Sequence, residues 1–127
     1  MTTHGKDASA ATLIEEFRTQ VKRYFHADIM GNRRTMKACL PKMGNAVQAL
    51  DTGVPEGRMA LVPLLKDEDD GVRVYAAAYL FGRLPEEARA VWDEVLAGSK
   101  HPSAYLNVVS FKVIADWKPD DFIKAFE

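Results

Sequence analysis

The stretch DEDDGVRVYAAAYLFGRL, residues 67–84, constrains this chain more than any other. Four acidic residues lead into a segment that is apolar on nearly every side. Between positions 71 and 83 the only charges are Arg73 and Arg83. Wound as a helix, Val72, Ala76, Tyr79 and Leu80 take one side, while Val74, Ala77, Ala78 and Phe81 cover much of the other. A helix apolar all round is a buried helix, packed between neighbours on two sides. Its alanines permit close approach and carry the highest helix propensity. Asp69 or Asp70 is expected to cap it, satisfying free N–H groups and opposing the positive helix end. The run D-E-D-D-G lacks the spaced oxygen ligands of a calcium loop.

The rest of the sequence supplies helices to surround this one. Thr12-Leu13-Ile14-Glu15 has capping-box spacing, with Ser9 and Asp7 as alternative caps upstream. Leu13, Phe17, Val21 and Tyr24 then recur with helical period, flanked by Ile14 and Phe25, up to a stop near Gly31-Asn32. A second stripe, Met36, Leu40, Met43, Val47 and Leu50, has Cys39 at its edge and Pro41 inside, where a bend is expected. Thr52-Gly53 reads as its end. Residues 58–66 form a compact apolar helix containing Pro63. Pro85-Glu86-Glu87 opens a helix burying Ala88, Val91, Trp92, Val95 and Leu96, which Gly98 ends. Residues 102–117 are the last full helix, and Pro119-Asp120-Asp121 caps a closing turn. No segment alternates with period two over a useful length, so the chain reads as all-α.

At 127 residues it is expected to be a single domain spanning 1–127, with 1–8 a loose tail. Apolar residues are 47% and charged ones 28%, an ordinary globular balance. The longest apolar run, residues 74–82, is too short to cross a bilayer, and residues 1–12 do not resemble a signal peptide. A single cysteine, Cys39, excludes an internal disulfide framework and fits the cytoplasm.

Placing Leu65 on Leu96 brings Val72 onto Ser103, Ala76 onto Asn107, Ala78 onto Val109 and Leu80 onto Phe111. Three helical hairpins result, at 10–51, 57–83 and 86–117, which bury a continuous core when stacked. Residues 61–80, LVPLLKDEDDGVRVYAAAYL, resemble a HEAT or armadillo-type repeat: an acidic turn at 67–70, Val72-Arg73, the pair Ala76-Ala77, then Leu80. The last hairpin departs from that pattern, with Ser103-Ala104 in place of Val-Arg. Across most of the chain the order of helices and of the Leu-Pro-Leu-Leu, Val-Arg-x-x-Ala-Ala and Pro-Glu-x-Ala motifs is similar to a small bacterial family, domain of unknown function twenty-nineteen. The resemblance implies a HEAT/armadillo-like right-handed stack of about three antiparallel hairpins with a binding surface. It implies no activity.

Chemistry-bearing constellations are sparse. His4, His26 and His101 fall in a tail, on a polar helix face and in a loop, without partners at zinc-ligand spacing. His101 reads as a helix-flanking residue and Cys39 as a small core residue. The segment His4-Gly5-Lys6-Asp7 lacks the first glycine and the strand of a phosphate loop. Glu15-Glu16 and Glu86-Glu87 are adjacent pairs aimed at different faces. No catalytic set, metal site or cofactor site is expected.

Two surfaces rise above this background. Residues 1–42 carry eight Lys/Arg against four Asp/Glu, whereas 43–127 carry nine against fourteen. The excess gathers in Arg18, Lys22, Arg23, Arg33, Arg34, Lys37 and Lys42, and Lys22, Arg23, Arg33 and Arg34 are the candidate binding cations. The second surface is aromatic, with Tyr75 and Tyr79 as candidate anchors beside Tyr105 and Trp92. The leading expectation is a non-catalytic protein–protein interaction module, in a specific version an immunity or antitoxin-like partner of an effector. The alternative is a nucleic-acid-associated protein using the basic first hairpin, disfavoured because no exposed aromatics interleave the cations. No membrane partner is expected, and a homodimer stays open.

Overall fold

The computed structural model describes residues 9–127. The expected tail, with Asp7 and His4, lies outside them. Every regular element among the described residues is helical. They fall into two compact units, one running through Val62 and the other from Pro63 onward.

In the first unit, α1 (Ala10–Ile29) packs against α2 (Arg33–Gly53). Ser9 proves to be the N-cap of α1, its Oγ accepting the Thr12 N–H at 3.1 Å. The α1–α2 turn is compact because it closes both helix ends at once. Gly31 takes a positive φ of 72°, open to a residue without Cβ. Its N–H returns to the Asp28 carbonyl, while the Asn32 N–H reaches that of Ala27. The Asn32 side chain then caps α2 through the Thr35 N–H.

Leu13, Phe17 and Val21 are buried on α1 as their period predicts, but the stripe continues through the flanking Phe25, while Tyr24 is half-buried. The α2 stripe differs from expectation. Its buried line runs Cys39, Met43, Ala46 and Leu50, with Val47 at the edge, while Leu40 is exposed and Met36 half-buried. Two stripes of four-three-four spacing share Met43 and Leu50. The one with small residues at 39 and 46 lets α1 approach, so it is the one that turns inward. The helix continues through Pro41, which sits with Lys37 on its exposed side.

After α2, Gly57 (φ 60°) lets the chain fold back on the helix end. A Cβ there would stand 3.3 Å from Asp51 Oδ1. That carboxylate is committed to Arg58: Oδ1 accepts the Arg58 backbone N–H at 2.9 Å, and Oδ2 accepts Nη2 at 2.7 Å. Arg58 is 5% exposed, a buried cation that hydropathy alone does not signal. Residues Gly57–Lys66 wind as a 3₁₀ helix where an α-helix was expected. Pro63 has no N–H to give, and short i to i+3 turns accommodate that loss more readily than an α-helical interior.

The second unit holds α3 (Asp70–Leu80), α4 (Pro85–Gly98), α5 (Pro102–Trp117) and α6 (Pro119–Ala125). α3 packs on α4 and α5, which also touch each other, and α6 packs on α5. The sequence reading of α3 holds: Gly71, Val72, the run from Val74 to Ala78, and Leu80 are buried. It ends three residues earlier than expected, because the Arg83 and Leu84 N–H groups both return to the Leu80 carbonyl. Trp92 of α4 is fully buried, donates Nε1–H to the Val74 carbonyl at 3.2 Å and stacks on Phe81. Phe111 and Phe122 meet it at ring distances of 5.9 and 5.6 Å. This aromatic cluster is the centre of the unit. Leu96, expected in the core, is half-buried.

The acidic turn does more than cap. Asp69 Oδ1 accepts the Val72 N–H at 3.0 Å, as expected of an N-cap. Asp70 instead receives Ser99 Oγ–H at 2.6 Å and Arg73 Nη2–H at 2.7 Å, tying α3 to the end of α4. Burial alone would raise its carboxyl pKa. The hydrogen bonds from Ser99 and Arg73, with the charges of Arg73 and His101, outweigh burial and hold it below the ordinary 3.8. A folded-state value below the unfolded one means stability present above about pH 4 and lost as the pH falls through the lowered value. Asp70→Asn is therefore expected to melt a few degrees below the wild type at pH 7. In thermal melts followed by circular dichroism that gap should close on acidification below about pH 4. A gap constant with pH would mean the carboxylate charge is immaterial.

Candidate functional site

The candidate cations come from a helix face that the core of the hairpin leaves outside. Because Leu13, Phe17, Val21 and Phe25 turn inward, Lys22 and Arg23 must turn out, and both are exposed. Together with Arg18, Thr19 and His26 they line an open groove of about 720 Å³ along α1, which ends at Asn32 and Thr35 of the α2 N-terminus. Arg18 lies 3.8 Å from Glu15 within the groove. Lys22 and Arg23 have no ion pair among the described residues. The groove is thus a strip of positive charge leading to a helix start, whose dipole also favours negative charge.

Arg33 belongs elsewhere. It lines a second, smaller hollow of about 370 Å³ with Tyr24, Asp28, Met36, Lys37 and Leu40. Arg34 is exposed and lines neither. Of the four cations singled out by sequence, two line the groove, one lines the second hollow and one lines neither. The exposure of Leu40, the residue displaced from the α2 core, is what gives the second hollow an apolar floor.

The two tyrosines, for which core packing is the default expectation and an anchor role the alternative, fare differently from each other. Tyr75 is 5% exposed, donates its hydroxyl to Asn107 Oδ1 at 3.1 Å and meets Phe111 edge-on. It is a core residue, because α3 is enclosed on the side that carries it. Tyr79 is half-buried, with its ring edge-on to Phe126 at 5.0 Å. His101 caps α5, its Nδ1 accepting the Ala104 N–H at 3.3 Å, and Cys39 is a buried free thiol. Among the described residues no group of three or more His, Cys, Asp or Glu is placed to hold a metal ion, and no helix is long and apolar enough to cross a membrane.

One surface went unmarked in the sequence. α5 turns Leu106, Val109, Val113, Ile114 and Trp117 to solvent, with Tyr105 beside them, and buries only Ala104, Val108 and Ala115. The signal was there: the helix carries two charges in 16 residues, more apolar side chains than one inward face can hold. No family model, no curated protein and no solved structure matches this chain.

Proposed function

We propose that this protein is a non-catalytic interaction module whose α1–α2 hairpin binds an acidic protein segment. The observation that carries the reading is the open α1 groove, with Lys22 and Arg23 exposed on it and held by no carboxylate among the described residues. A polyanion backbone asks for a continuous track of cations. Here the track breaks at the turn, and Arg33 shares its hollow with Asp28 and with Tyr24, Met36 and Leu40. Cations beside apolar floors suit a peptide bearing both acidic and apolar side chains. The HEAT-like repeat reading belongs to this proposal. It is supported by the acidic turn that caps α3, by Arg73 paired to Asp70, and by the burial of Val72, Ala76, Ala77 and Leu80. The cytoplasm is its natural setting, since Cys39 is buried without a bridge. An immunity or antitoxin-like role, with an acidic effector as partner, is the specific version of the reading.

Fluorescence anisotropy with a labelled peptide of alternating glutamate and leucine, and with a labelled DNA duplex, tests it. The peptide is expected to bind at low salt and to lose at least about tenfold in affinity in the Lys22→Glu/Arg23→Glu variant. The duplex is expected to bind no tighter than about 10⁻⁴ M at physiological salt. Micromolar, salt-sensitive duplex binding abolished by Arg33→Glu/Arg34→Glu would instead establish the nucleic-acid reading.

A further inference from the structure

The exposed face of α5 belongs to the second unit, and its geometry points to a second copy of this chain as its occupant. Leu106 is 64% exposed, Val113 57% and Trp117 76%. With Tyr105, Val109 and Ile114 they leave roughly 600 Å² uncovered, the upper range of the largest apolar patch on a monomer. Two such faces pressed together would bury about 1,200 Å², the lower edge of specific protein interfaces.

The charges of α5 have been drawn off this face. Lys112 pairs with Asp93 and Asp116 with Arg89, both partners lying on α4. What remains outward offers an incoming charged surface nothing to pair with, so a partner of the same apolar character is selected. A lipid surface is disfavoured because the exposed Asp120 and Asp121 follow directly on the end of the patch, where a basic rim would be needed.

The spacing of the stripe is self-complementary. Leu106, Ser110, Val113 and Trp117 follow the four-three-four rhythm of a helix–helix seam. Laid antiparallel about a two-fold axis level with Phe111 and Lys112, the seam pairs Leu106 with Trp117 and Ser110 with Val113, while Val109 and Ile114 flank it on opposite sides. The largest side chain then meets a mid-sized one at each end, and the smallest falls at the centre, where the helices come nearest. A contact of this kind is isologous and closes on itself, giving a dimer and no filament.

Sedimentation equilibrium of the full chain tests the proposal. The wild type is expected to follow a reversible monomer–dimer equilibrium in the micromolar range. Leu106→Lys and Trp117→Glu, both at exposed positions, should each raise the dimer dissociation constant at least tenfold while leaving the helical circular dichroism intact. Combined in one chain, the two should recover most of the loss, because the antiparallel register sets each new lysine opposite a new glutamate. A wild type monomeric at 200 µM, including one that sediments with anionic vesicles instead, would overturn the inference. So would a dimer untouched by either substitution, or a double variant no better than the singles.

Discussion

Ala77→Asp is expected to lower the urea midpoint of unfolding by more than about 1 M, a loss of several kcal/mol. Ala77 lies in the middle of α3 with no exposed surface, and its flanking positions Ala76 and Ala78 are equally enclosed. A carboxylate there would have to shed its hydration in a place without a cation to meet it. The larger side chain would also push apart helices that alanine had allowed to come close. Glu68→Ala, in the exposed turn just before the same helix, is the matched control and should shift stability by only a few tenths of a kcal/mol. Equal midpoints for the two variants would mean that α3 lies at the surface.

Asp51→Ala should cost about 3–5 kcal/mol, though it removes a side chain that is itself about a quarter exposed. The cost arises on the other partner. Arg58 is almost wholly enclosed, and its guanidinium and backbone N–H both donate to this carboxylate. Without that countercharge the cation must move toward water or stay desolvated. Adding Arg58→Met should return most of the loss, since a flexible apolar side chain of similar length can occupy the same space. Urea unfolding of the single and double variants gives the coupling directly. A single variant within about 1 kcal/mol of the wild type would mean that Arg58 reaches solvent at no cost.

What the sequence made legible was whatever depends on local periodicity and end chemistry. α1, α3, α4 and α5 stand where their apolar spacing and their caps put them, and Asp69 caps as its position before Gly71-Val72 implies. What stayed hidden depends on choices between near-equivalent arrangements. Leu40 and Cys39 offered competing stripes on α2, and only contact with α1 separates a bulky residue from a small one. Residues 57–66 have the composition of an α-helix, but hydrogen-bond pattern, not composition, distinguishes 3₁₀ winding. Tyr75 and Tyr79 look alike in sequence; one is sealed by Asn107 and Phe111, while the other stays half open. The basic residues were visible, but not the separation of Lys22 and Arg23 from Arg33, because that follows from the three-residue turn at 30–32. The outward face of α5 was obscured for the opposite reason: an apolar helix reads as a core helix until its neighbours are known to take up only the side that carries Ala104, Val108, Phe111 and Ala115.

The placement of the two tryptophans gives this chain a pair of built-in optical reporters with opposite environments. Trp92, sealed among Phe81, Phe111 and Phe122, should emit at short wavelength and be shielded from iodide until the second unit opens. Trp117, mostly in water and with the Lys118 ammonium above its ring, should emit at longer wavelength and attract the same quencher. One spectrum therefore resolves into an inner component that follows unfolding and an outer one that follows whatever approaches α5. Trp117→Phe isolates the first without disturbing the core, so loss of structure and loss of association can be watched separately in the same cuvette.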